Sequence, residues 1–149
     1  MNVKILNEAD IRACISLDQD AVNAVAEGFS CLAQGKASLP PIMRIDIAEN
    51  RGEIDVKSAH IHGFDYFAIK AASGFLDNPS KGLPYGNAMM ILMSAKTGFL
   101  EAVLLDNSYL TDIRTGAAGA IAARHLCIKK SKPPGLSDRV ARLAIKSED

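Results

Sequence analysis

Two hydrophobic periodicities divide this chain. After Asp18, Val22, Val25, Ala26, Phe29, Leu32 and Ala33 recur at intervals of three and four. That spacing predicts an amphipathic helix capped by Asp18 and ended by Gly35, before Pro40-Pro41 forbids continuation. A shorter helix is expected from Glu8, with Asn7 as its cap and Asp10 completing a capping box. Beyond Pro41 the period drops to two. Met43, Ile45 and Ile47 alternate with Arg44 and Asp46, and Ile54 and Val56 alternate with Asp55 and Lys57. This predicts two half-buried strands joined at a Glu49–Gly52 turn. A third strand is expected over Phe64–Ala72, and two strongly apolar ones over Ala88–Met93 and Phe99–Leu105, joined at Lys96-Thr97-Gly98. Between them, Ser73 to Gly86 is rich in Gly, Pro and Asn and reads as a loop of functional length.

A last helix begins near Asn107-Ser108, either of which can cap it, and runs through Thr111-Asp112-Ile113-Arg114-Thr115 and a run of glycine and alanine to about Leu126. Each interior glycine costs about 1 kcal/mol relative to alanine, so close packing of this helix is the expected return. Helices, then five strands, then a helix define an α+β fold, because no strand-helix-strand alternation calls for a parallel sheet. Residues 1–127 form the predicted domain. Residues 128–149 open with the basic, Pro/Gly-rich break Lys129–Gly135 and hold one short amphipathic stretch around Val140, Leu143 and Ala144.

Composition narrows the function classes. With 149 residues, 48% hydrophobic and 23% charged, the chain suits one globular domain. Lys plus Arg and Asp plus Glu both number 17, and a net charge of zero argues against nucleic acid or a membrane surface as the main partner. No stretch approaches the roughly 20 apolar residues of a membrane helix, and the N-terminus has no signal-peptide core, so a cytoplasmic location is expected. Cys14, Cys31 and Cys127 are odd in number and widely spaced. They imply no disulfide framework and are expected as small buried hydrophobes.

Three cations stand out by position. Arg114 lies in the first turns of its helix, against the macrodipole, where a guanidinium and free N–H groups would form an anion site; alternatively it pairs with Asp112 or Asp106 at the surface. Lys70 is the only charge in an apolar run, placed either in a cleft or on a protective sheet edge. Arg44 alternates outward and pairs across its hairpin or joins the other two. Together they suit a carboxylate-bearing small molecule. His60 and His62 share a strand face, but no third ligand follows at a characteristic spacing, so solvent-facing histidines are expected and no metal site. Lys96-Thr97-Gly98 has no companion Ser-x-x-Lys and reads as a turn. There is no Gly-x-Gly in the chain, so the dinucleotide fingerprint is absent from these residues.

The string from Leu110 to Leu126 resembles the hallmark helix of the ornithine cyclodeaminase/mu-crystallin family. Met43-Arg44, Ala68-Ile69-Lys70, Gly82-Leu83-Pro84 and Ala95-Lys96-Thr97-Gly98 resemble the family in order and spacing, over about residues 3 to 126. Gly52–Lys57 and Gly74–Pro79 look most like the cyclodeaminase of ectoine utilisation. The resemblance implies a substrate-binding domain that forms a homodimer, preceding a Rossmann domain that holds NAD(H) or NADP(H). By matching motifs, Arg44, Lys70 and Arg114 would bind the carboxylate of a small amino-acid or keto-acid ligand, and Lys70 would also transfer a proton. Asn87 would line the pocket and Thr115 would touch the cofactor.

Full-length relatives would be NAD-dependent cyclodeaminases or amino/imino-acid oxidoreductases acting on substrates such as ornithine or ectoine-derived diaminobutyrate. Residues 129–149 resemble nothing in the family, as a frameshifted or truncated reading frame would produce. On that expectation this chain alone would be inactive. The alternative is a non-catalytic, dimeric, carboxylate-binding module of mu-crystallin type.

Overall fold

The computed structural model describes residues 2–126. Cys127, the basic break and the stretch around Val140 lie outside the described residues.

The chain opens with a short strand, β1 (Lys4–Asn7), and two helices, α1 (Glu8–Cys14) and α2 (Gln19–Ala33). Asn7 caps α1 by accepting from the Ala9 and Asp10 backbone, and the Asp10 carboxylate bonds back to the Asn7 N–H, completing the expected capping box. Asp18 caps α2 through Ala21. The strands that follow are β2 (Ala37–Ser38), β3 (Met43–Ile47), β4 (Gly52–Ile61), β5 (Tyr66–Phe75), β6 (Gly86–Ser94) and β7 (Leu100–Leu105), and α3 (Tyr109–Leu126) comes last. One seven-stranded sheet has the order β1-β7-β6-β5-β4-β2, with β3 also paired to β4. All pairings are antiparallel except β1 with β7, so the fold is α+β with a mostly antiparallel sheet.

Several expectations change. β1 and β2 did not stand out because four and two residues are too few to show a period. The Glu49–Gly52 turn is a short 3-10 helix (Ala48–Asn50) closed by Arg51 in the left-handed region at φ 48°. β5 runs on to Phe75 and β6 starts at Gly86, so the loop is residues 76–85 rather than 73–86. Gly74 and Gly86 are strand residues facing each other: a Cβ on Gly86 would stand 2.6 Å from the Ser73 carbonyl oxygen. Cys14 is exposed and Cys31 half-buried, against the expectation of buried thiols, because short α1 buries only Ile11. Lys70 sits on a central strand, which removes the edge-guarding role. His60 is not solvent-facing. Its Nε2 is buried without a partner, while His62 stays exposed with its Nε2 3.3 Å from Ser38 Oγ.

The start of α3 is capped by neither Asn107 nor Ser108, both of which adopt positive φ. Instead the buried Asp106 carboxylate accepts from the Leu110 N–H at 2.9 Å, and Asn107 Nδ2 bonds Glu8 Oε2. The small residues of α3 then deliver the expected close packing. Ala117 and Ala120 are fully buried against Val22 of α2, and a Cβ on Gly116 would meet Leu17 Cδ2 at 2.8 Å. Only the first part of the α2 stripe is used in this way; Phe29 and Leu32 near its end are about half exposed.

Replacing Val22 by alanine removes two carbons from a fully buried site, and should lower unfolding free energy by about 2 kcal/mol in urea melts. A loss under about 0.5 kcal/mol would mean that the α2–α3 contact is not a principal stabilising contact.

Candidate functional site

Strand alternation and register sort the sheet into two faces. Arg44 pairs with Asp55, Asp55 with Ala72, and Lys57 with Lys70, so Arg44, Asp55, Lys57 and Lys70 stand on one face. Helix α3 starts over that face: Lys70 Nζ donates to Thr111 Oγ1 at 2.6 Å. Arg114 and Thr115 follow Thr111 by three and four positions, so they project from the same side of the helix. The structure thus brings Lys70 and Arg114 close enough for their charges to act on each other. Arg44 joins them on the same sheet face, about 12 Å from Lys70 by backbone spacing, two strands and two residues away.

Asn87 does not join them. It pairs with Ser73, one residue out of phase with the Lys70 face, and so lies on the opposite face. There it lines an open hollow of about 470 Å³ with Ile54, Ala71, Met89, Leu105 and Asn107. Thr115 is exposed on α3.

The electrostatics differ from cation to cation. Arg44 is half-exposed and doubly engaged: its Nε bonds Asp46 Oδ1 at 2.9 Å and its other arm reaches Glu53. The Asp46 bond and the two carboxylate charges hold it firmly protonated, above its ordinary range. Lys57 is tied to Asp55 Oδ2 at 2.9 Å. Lys70 has no ion pair among the described residues, and neither does Arg114, against the simple expectation of a surface pair with Asp112 or Asp106. Burial pulls the Lys70 amine below its ordinary value of 10.5; Arg114 and Lys57 add to this, opposed by Asp106 and Asp112.

Two carboxylate oxygens at or beside the site are buried without a hydrogen-bond partner: Asp55 Oδ1 and Asp106 Oδ1. Neither Asp55, Thr111 nor Asp106 stood out in the sequence as a site residue. The available signal was geometric: Asp55 alternates in phase with Arg44's partners, and Thr111 precedes Arg114 by one helical turn. No group of three or more potential metal ligands occurs among the described residues.

The chain is therefore an α+β domain whose sheet face carries Arg44, Lys57 and Lys70 among Asp46, Glu53 and Asp55. A helix start brings Arg114 to the Lys70 end of that face, an arrangement suited to a small anion beside Lys70 and Arg114. Residues 1–136 match the model of the ornithine cyclodeaminase/mu-crystallin family, and the chain belongs to that family. It is 53% identical over 125 residues to a Sinorhizobium fredii protein named as an uncharacterised cyclodeaminase, covering 83% of this chain and 38% of that protein. Among solved structures, an archaeal alanine dehydrogenase dimer with bound NAD matches 89% of this chain and 39% of its own, at 40% identity and a TM-score of 0.80. The Thermococcus litoralis Δ1-pyrroline-2-carboxylate reductase, in complex with NADH and L-proline, matches 87% of this chain and 40% of its own, at 30% identity and a TM-score of 0.81. The chain spans about two fifths of the length of the curated relatives it matches. Among the described residues no helix is long and apolar enough to cross a membrane.

Because Arg114 is a cause of the depressed Lys70 amine, Arg114→Ala should raise the Lys70 midpoint toward 10.5 in an NMR titration of the lysine side chains. The folded-state value lies below the unfolded one, so the protonated unfolded chain gains on the folded chain below that window. Lys70's contribution to stability should accordingly rise as pH climbs from its folded midpoint toward 10.5. A Lys70 midpoint at its ordinary value of 10.5 would contradict this electrostatic picture.

Proposed function

We propose that this face binds the carboxylate of a small amino or keto acid, with Lys70 and Arg114 as principal contacts and Arg44 completing the site. The observation that carries this is the convergence of Lys70 and Arg114, two cations outside any ion pair among the described residues, at the start of α3. A bound carboxylate would relieve their repulsion, and charge-assisted bonds to each would hold it in one orientation. Arg44 would take part by exchanging one of its two carboxylate partners for the ligand. Asp55 Oδ1, buried and unpartnered on the same face, would accept an ammonium group of the ligand. That favours amino and diamino acids, diaminobutyrate or ornithine among them, and agrees with the likeness of residues 52–57 to the ectoine-utilisation type.

In a protein that joins this domain to a dinucleotide-binding unit, the activity would be that of a nicotinamide-dependent cyclodeaminase or amino/imino-acid oxidoreductase. NAD(H) or NADP(H), when bound, supplies hydride transfer. Of the residues described, exposed Thr115 beside Arg114 is the one suited to face the cofactor. Lys70, with an amine more easily deprotonated than usual, is suited to move a proton at the reacting carbon. The expected setting is the cytoplasm.

The opposite sheet face supports a homodimer. Ile5, Met43, Ile45, Met89 and Leu105 stand on that face and are each between 43% and 69% exposed, and exposed apolar side chains gathered on one face mark an interaction surface. Two such faces stacked would bury each other, and the matching archaeal alanine dehydrogenase is a dimer.

Thermal shift with L-ornithine, L-2,4-diaminobutyrate, L-proline and pyruvate tests the carboxylate site. The native chain should be stabilised by at least one of them, and Arg114→Ala should weaken that binding roughly tenfold or more, as for loss of a charged hydrogen bond. No stabilisation by any of the four would remove the proposal. Ile45→Lys should convert dimer to monomer in sedimentation velocity without loss of secondary structure. A native chain that sediments as a monomer at high concentration would refute the dimer.

A further inference from the structure

Among the described lysines, Lys70 occupies a distinctive setting. Lys57 is held by Asp55 and Lys96 by Asp65, each at ion-pair distance, whereas the Lys70 amine bonds a neutral hydroxyl. It is half-buried, and the repulsion of Arg114 and Lys57, with that burial, outweighs the attraction of Asp106 and Asp112. Crowding by like charge and partial desolvation are the two conditions that turn a lysine from an ion into a nucleophile.

We propose that Lys70 captures α-keto acids covalently, its Nζ forming an imine with the ketone carbon while Arg114 holds the adjoining carboxylate. The inference rests on the carboxylate site argued above and adds a bond to it. The neutral amine attacks the carbonyl carbon, forming the C–N bond as the C=O π electrons move to oxygen. The nitrogen's proton passes to that oxygen, and the Thr111 hydroxyl, 2.6 Å from Nζ, is placed to relay it. The carbinolamine hydroxyl then takes up the proton that the Lys70 ammonium had released and leaves as water as the nitrogen lone pair forms C=N. Overall, one ammonium and one keto acid give one protonated imine and one water, with no change of oxidation state. The amine's depressed proton affinity enlarges the attacking fraction near neutral pH.

The test is borohydride trapping of the full 149-residue chain with pyruvate, read by intact mass and peptide mapping. One adduct is expected, heavier by pyruvate less one oxygen, on the peptide that carries Lys70. Arg114→Ala, or acetone in place of pyruvate, should each cut the yield roughly tenfold, because either removes the charge-assisted anchor. Lys70→Arg, with its circular dichroism unchanged, should give no adduct; should that variant unfold, the peptide map of the native chain decides alone. Labelling spread over the surface lysines would overturn the proposal. So would an absence of adduct while pyruvate still raises the melting temperature, a result that leaves the carboxylate site standing. The absence of both adduct and thermal shift with pyruvate would also overturn the imine, and the carboxylate site would then stand or fall on the amino-acid ligands.

Discussion

The depth at which α3 lies against α2 is set by side chains too small to permit anything else, and the functional face inherits its geometry from that contact. Ala117 and Ala120 bring the α3 backbone onto Val22, and Gly116 leaves no room between the helix and Leu17. Asp106 fixes the other coordinate by capping the first turn from a fully buried position. Thr111, Arg114 and Thr115 therefore have little freedom as a group. A helix that could rock would not hold the Thr111 hydroxyl at 2.6 Å from Lys70. Close packing at one end of α3 is thus what gives definition to the polar contacts at the other.

That definition carries an electrostatic cost, and it falls unevenly. Arg44 sits in a nest of carboxylates and is comfortable without a ligand. Lys70 and Arg114 repel each other, and Asp106 and Asp112 only partly offset that repulsion and the burial of the amine. The cationic face is thus divided into a satisfied part and an unsatisfied part. Binding energy for an anion should come chiefly from the unsatisfied part, because removing a repulsion and making a bond act together there, whereas Arg44 must first release one of its partners. The two buried carboxylate oxygens without partners, on Asp55 and Asp106, show the same feature with opposite sign. A site with two cations outside ion pairs and carboxylate oxygens without hydrogen-bond partners suits a zwitterion better than a simple anion.

Much of this was legible in the sequence, and the part that was not has a physical reason. The caps at Asn7 and Asp18, the change from period 3.6 to period 2 and the small-residue helix are local signals, each readable within a few residues of chain. Lys70 and Arg114 could be singled out because each breaks a local pattern, whereas Arg44 fits its strand's alternation and was joined to them as a third cation. Their convergence could not, since it depends on register across β3, β4 and β5 and on where α3 begins. Asp106 was overlooked because its capping works from outside two left-handed residues, Asn107 and Ser108, an arrangement that helix-start rules do not anticipate. β1 escaped notice because four residues carry no period, and only pairing with β7 makes them a strand.

Asn87 shows how sharply register decides function in such a sheet. It stands one position before Ala88, and in a strand one position is the difference between faces. Ala88 pairs with Ala72 on the side of Lys70 and is nearly buried, whereas Asn87 pairs with Ser73 on the side of Met89 and Leu105. The two faces ask for opposite chemistry. One gathers Arg44, Asp55, Lys57 and Lys70; the other presents isoleucine, methionine and leucine to its surroundings. A polar amide within that apolar face, beside an open hollow, is hard to account for as a substrate contact on the cationic side. It is better suited to a contact that forms when the apolar face is covered, where an unpaired amide would be costly and a hydrogen bond across the junction would fix how the two surfaces align.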